Sequence, residues 1–99
     1  MNIIIQYVNM DSSESLSEYT KEKLQKLAKR YDWLISCDVF FKQDNNPKEQ
    51  GKICNMELSL PGPKIFATST EKNFESAVKE TINDLDIQLK KRKNTYSTH

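Results

Sequence analysis

The chain has 99 residues, 36% hydrophobic and 29% charged, with a formal net charge of +1. That suits one domain with one modest core, and the steady recurrence of apolar residues excludes wholesale disorder. Two cysteines without CxxC spacing and a single histidine, His99, exclude a zinc site, and no apolar run approaches membrane-spanning length.

In chain order, Asn2 to Asn9 is rich in β-branched and aromatic residues and predicts a strand. Asp11, Ser12 and Ser13 offer helix caps, and Asp11 with Glu14 has capping-box spacing. A first helix is expected from about Ser13 to Tyr31, because Leu16, Thr20, Leu24, Leu27 and Tyr31 recur at spacings of three and four. The second strand, Ile35 to Gln43, sets Ile35, Cys37, Val39 and Phe41 on one face, and Asp44 to Gly51 reads as a polar loop. The third strand, Lys52 to Leu60, sets Cys54, Met56, Leu58 and Leu60 together; Pro61-Gly62-Pro63 is a tight turn, and Lys64 to Ser69 a short fourth strand. Thr70 is available to cap a last helix running to about Lys93, with the apolar stripe Phe74, Ala77, Val78, Ile82, Leu85 and Leu89.

The expected fold is therefore α+β: β-α-β-β-β-α, with two amphipathic helices on one face of a four-stranded sheet. A crossover through the first helix makes strands one and two parallel, and the rest form an antiparallel meander. Residues 1–93 form the single domain, and 94–99 a disordered polar tail. A hairpin closed by the Asp44–Gly51 loop pairs residues whose numbers sum to about 95, so Phe41 faces Cys54 and Cys37 faces Leu58. The cysteines then sit roughly 13 Å apart along the sheet, too far for a disulfide, and are expected as free buried thiols.

Enzyme chemistry finds little purchase. Two distant glycines cannot build a phosphate loop, no base accompanies either cysteine, and Asp84 and Asp86 diverge on a helix. The first helix is more informative. On ideal geometry with Leu16 at zero, Tyr19, Lys23, Lys26 and Arg30 fall between about 280° and 340°, beside the core stripe and free of acids. Such a stripe can track phosphates, or can be a solvated face of snorkelling lysines. Global near-neutrality hides a second basic feature, the uninterrupted block Lys90, Lys91, Arg92 and Lys93. Two of those cations would satisfy the helix dipole, whereas four invite a polyanion. If the helices lie side by side, with Gln88 and Lys91 turned toward the first helix, the two patches make one groove. On the other sheet face Ile4, Phe40, Ile53 and Phe66 mix with polar residues, a surface able to stack bases or merely semi-apolar.

Several stretches, taken together and in this order, resemble the ribosome hibernation-promoting factor family, also called the ribosome-associated inhibitor or sigma-54 modulation family. They are Asn2 to Val8, Lys23-Leu24-Gln25-Lys26-Leu27, Asp38-Val39-Phe40-Phe41-Lys42, Pro61-Gly62 with Phe66-Ala67, Phe74-Glu75-Ser76-Ala77-Val78, and Leu85, Gln88 and Leu89. The resemblance implies a double-stranded-RNA-binding-domain-like fold. It implies binding to the small ribosomal subunit through ribosomal RNA, occluding the messenger and transfer RNA sites and blocking translation without catalysis. The family's basic positions match Lys23, Lys26 and Lys29 or Arg30, and Lys91 and Lys93; with Lys90 and Arg92 these are the expected RNA-binding residues.

The second helix departs from the family at Asp84, Asp86 and Ile87, where it is often basic, which weakens the expected cationic surface. A chain ending at His99 corresponds to a short form, without the C-terminal domain that pairs ribosomes in long members. The expectation is a cytoplasmic protein, monomeric off the ribosome, with no cofactor, metal, membrane or small-molecule substrate. The alternatives are a small protein-interaction module with solubilising basic faces, and a general binder of structured RNA.

Overall fold

The computed structural model describes residues 1–44 and 51–97. Six elements follow in the expected order: β1 (Asn2–Tyr7), α1 (Glu14–Arg30), β2 (Ser36–Gln43), β3 (Lys52–Ser59), β4 (Ile65–Glu71) and α2 (Phe74–Ser97). The sheet runs β1-β2-β3-β4, with β1 parallel to β2 and the later neighbours antiparallel. The parallel pair needs a long crossover, which α1 supplies, whereas the later strands turn back through short connections.

Alternation decides which face is covered. Cys37, Val39 and Phe41 of β2 and Cys54, Met56 and Leu58 of β3 are buried, while the residues between them are not. Leu16, Thr20, Leu24 and Leu27 of α1, and Ala77, Val78, Thr81, Leu85 and Leu89 of α2, close over that face as one core. Thr81 lies inside the stripe because its hydroxyl donates back to the Ala77 carbonyl at 2.7 Å, satisfying it locally. Phe41 pairs with Cys54 and Cys37 with Leu58, the register expected from sequence, and both cysteines are free and buried.

The element ends differ in instructive ways. Ser13, not Asp11, caps α1: its Oγ accepts from the Leu16 amide at 3.3 Å. The chain reaches that cap through Asn9 at φ 54°, a conformation asparagine tolerates. The Tyr7 hydroxyl then ties β1 to α1, donating to the Ser13 carbonyl at 2.7 Å and lying 2.8 Å from Ser17 Oγ. Thr70 does not cap α2, because β4 continues through it to Glu71; Asn73 does, its Oδ1 accepting from the Ser76 amide at 2.8 Å. The helix end also lies later than expected. α2 runs four residues past Lys93 to Ser97, with no glycine or proline to stop it, and Thr95 Oγ1 donates to the Lys91 carbonyl. Of the expected tail, only residues 98–99 lie outside the described residues. Ile35 is 58% exposed rather than on the core face, since it precedes β2 beyond the cover of the helices. The Pro61–Pro63 turn needs Gly62, which sits at φ 94°. The base of the expected Asp44–Gly51 loop is closed by the Asp44 amide on the Gly51 carbonyl, and residues 45–50 lie outside the described residues.

Candidate functional site

The basic stripe of α1 is positioned by the core stripe beside it. With Leu16, Leu24 and Leu27 buried, the helix cannot rotate without exposing them, so Lys26 and Arg30 stay exposed and Lys23 half-buried along one flank. Lys23 Nζ lies 5.5 Å from the Tyr19 ring centroid, and Lys26 reaches Glu22 one turn back at 3.7 Å. Both are surface contacts worth only a fraction of a kcal/mol, so they orient the cations without neutralising them. Lys29 is exposed as well, but lies about 100° round the helix from Arg30.

Where α1 ends it meets the later turns of α2. Arg30 Nη1 sits 3.0 Å from Asp86 Oδ2, its Nη2 donates to Oδ1 at 3.1 Å, and the Tyr31 hydroxyl donates to Oδ1 at 2.6 Å. This two-pronged contact fixes the guanidinium in a plane, a geometry lysine could not hold. The Arg30 group also lies 5.5 Å from the Tyr31 ring. Burial pushes the Asp86 carboxyl up, but hydrogen bonds from Tyr31 and Arg30 and the charges of Arg30 and Lys90 outweigh it and leave it below the usual carboxylate range. Burial, then the bond to Asp86 and its charge, raise the Tyr31 phenol, so it stays a donor.

Around this contact Arg30, Tyr31, Lys90, Lys93 and Asn94 line a cleft of about 410 Å³ between the two helices. Three cations from two elements converge there, with the Tyr31 hydroxyl and the Asn94 amide as neutral hydrogen-bonding groups. The arrangement suits an oxyanion such as a phosphodiester: Lys90 and Lys93 bring point charges, and Arg30, held by Asp86, adds the guanidinium N–H groups that this pairing leaves over.

The structure corrects the picture of one continuous basic end on α2. Only Lys90 and Lys93 turn toward α1. Lys91 and Arg92 line a separate cleft with Ile65, Gln88 and Thr95 on the opposite flank, and Arg92 donates to the Pro61 carbonyl at 3.3 Å. Gln88 likewise points away from α1, its amide donating to the Phe66 carbonyl of β4 at 3.0 Å. Four consecutive helical residues span most of a full turn, so a sequence block cannot be one patch. The two acidic departures separate in the same way: Asp86 enters the inter-helix contact, while Asp84 faces the β4 side and accepts from Gln88. Sequence reasoning counted Tyr31 as core only and missed Asn94. On a helical wheel Asp86 falls between Lys93 and Lys90, about 100° from Leu85, and that adjacency is the signal that was available.

Other chemistry-bearing groups are occupied structurally. Burial pushes Cys37 up to about 12 and Cys54 up to about 11, and the Thr81 hydroxyl near Cys54 offsets this only in part. Among the described residues no group of three His, Cys, Asp or Glu side chains could hold a metal ion, and no helix is long and apolar enough to cross a membrane.

A four-stranded mixed sheet carrying two helices on one face is the architecture of the ribosome-associated proteins this chain is similar to. The chain belongs to the family described as Sigma 54 modulation protein / S30EA ribosomal protein, which matches residues 3–97. It is 27% identical to a ribosome hibernation promoting factor of Pseudomonas putida over 93 residues, spanning 94% of this chain and 87% of that one. Among solved structures it is similar to a ribosomal subunit interface protein from Coxiella burnetii, with TM-score 0.85 and 26% identity over 95% of this chain and 99% of that one. The N-terminal domain of Thermus thermophilus Protein Y shares the fold, with TM-score 0.77 and 19% identity over 92% and 98% of the two chains.

Proposed function

We propose that this chain is a hibernation factor of the cytoplasmic ribosome that binds the small subunit through ribosomal RNA. Bound there, it occupies the space of messenger and transfer RNA and holds the ribosome out of translation. The observation that carries the reading is the convergence of Arg30, Lys90 and Lys93 on one cleft, continued along α1 by Lys26 and Lys23. These cations come from two helices that a shared core holds rigid, so they meet a phosphate backbone without reorganising. Lys29, Lys91 and Arg92 lie outside this groove and act as a secondary, long-range attraction. Family membership and the names of the relatives in Pseudomonas and Coxiella support a ribosomal partner.

The test is co-sedimentation with ribosomes and isolated small subunits across a salt series. Reversal of Lys23, Lys26 and Lys90 to glutamate leaves the fold intact, since none of the three fills the core, and should weaken binding sharply. Arg30 is left out because a glutamate in its place would face Asp86 and unsettle the helix contact itself. A folded triple variant that sediments like wild type would remove the groove as the RNA surface. Equal affinity for a free RNA hairpin and for small subunits would favour a general structured-RNA binder.

A further inference from the structure

The sheet face turned away from the helices differs in character from the groove. Register lays two rows across it: Ile4, Asp38, Glu57 and Phe66 in one, Gln6, Phe40, Asn55 and Thr68 in the next. Phe66 is 63% exposed and Ile4 46%. An open cleft of about 430 Å³ is lined in part by Phe40, Asn55, Glu57, Phe66, Thr68 and Asp84. Asn55 and Thr68 are hydrogen-bonded to each other across its floor, which presents the rings at defined places.

The charge around those rings decides what they can hold. Asp38 and Glu57 face each other across β2 and β3, and like charges directly opposite on a sheet are destabilising. Lys64 lies 3.0 Å from Glu57, the lysine exposed and the carboxylate half-buried, so Glu57 is already paired; but among the described residues no cation pairs with Asp38, and Asp84 accepts from a neutral amide. Lys42, the other cation on this face, is four residues along β2 from Asp38, roughly 13 Å at strand rise. A phosphate backbone laid across Phe40 and Phe66 would run into these carboxylates, so stacking of RNA bases is disfavoured. A guanidinium or ammonium is attracted both by ring faces and by the carboxylates, and would relieve the Asp38–Glu57 repulsion. Apolar side chains beside it would cover Ile4 and Phe66.

We propose that the open sheet face docks a cationic polypeptide segment whose Arg or Lys side chains alternate with apolar ones. The rings and carboxylates make a protein-binding surface on the side of the molecule opposite the basic groove, whatever that groove binds.

The experiment is an amide NMR titration of the isotope-labelled full chain. One probe is a blocked peptide alternating arginine and leucine, three of each; the other is octauridylate. The peptide should shift the amides of Phe40, Asn55, Phe66 and Thr68. Asp38→Asn and Phe66→Ala should each weaken it by about threefold or more. Asp38→Asn removes a like-charge contact and so keeps the fold, which its unchanged remaining spectrum verifies. No shift at these four amides at millimolar peptide, or wild-type affinity in both variants, overturns the proposal. Octauridylate shifting these amides overturns it as well, and makes the face a base-stacking surface.

Discussion

Asp86 shows how one side chain changes the meaning of its neighbours. By charge it subtracts from a basic surface; by position it locks Arg30 and Tyr31 across two helices. Its carboxyl is held below the ordinary value, so the stabilisation it gives is fully present above the unfolded carboxylate pKa of about 3.9 and is lost as pH falls through the lower folded value. Asp86→Asn should therefore cost about 1 kcal/mol in urea unfolding at pH 7, and the gap from wild type should close toward pH 3. A gap of the same size at both pH values would mean that shape rather than charge holds the contact. The thiols make a second case. With Cys37 raised to about 12 and Cys54 to about 11 by burial, neither presents thiolate near neutrality. A thiol reagent at pH 8 should leave both untouched in the folded chain and modify both in urea; rapid labelling of the native protein would show that the core opens readily.

At the scale of elements, each helix has a buried stripe that sets the stability and a cap that sets the start. Leu27 and Leu85 are 2% and 0% exposed, at the centres of the α1 and α2 stripes. Truncating either to alanine should cost about 2–5 kcal/mol in denaturant unfolding, and a loss below about 1 kcal/mol at both would contradict the packing described. Asn73→Ala removes the acceptor for the Ser76 amide and should cost about 1 kcal/mol, whereas Thr70→Ala, on the strand before it, should not uncap the helix. These stripes were legible from spacing alone. The cap was not, because Thr70 and Asn73 are both chemically able to serve, and only the pairing of Thr70 with Ile53 keeps it in β4.

On the scale of the whole molecule, a net charge of +1 is the sum of two unlike faces. The cleft between the helices gathers Arg30, Lys90 and Lys93, with Lys23 and Lys26 on the same stripe of α1, and the open sheet face carries Asp38 and Glu57 beside Phe40 and the exposed Phe66, with Asp84 of α2 at its β4 edge. Ribosome affinity of the wild type should accordingly fall steeply with salt, since each phosphate contact releases a counterion. Reversing Lys23, Lys26 and Lys90 should flatten the slope of log affinity against log salt by about two to three. Reversing Lys91, on the opposite flank, should lower affinity less and leave most of that slope in place. Equal effects from the two variants would mean that overall charge, rather than the groove, governs binding.

The sequence by itself determined the order of elements, the hairpin register and the buried stripes, because hydrophobic spacing of two and of three to four survives without knowledge of partners. It also identified Lys23, Lys26 and Arg30 as one stripe, since a single helix fixes their angles. What required the tertiary structure was every relation between elements: the division of Lys90–Lys93 between two flanks, the capture of Arg30 by Asp86, and the turning of Asp84 and Gln88 toward β4. The physical reason is that a helix fixes the angle between its own residues, but only packing against α1 and the sheet sets which way that helix is turned. Charges 56 residues apart in sequence become a pair only when two buried stripes have brought their helices together.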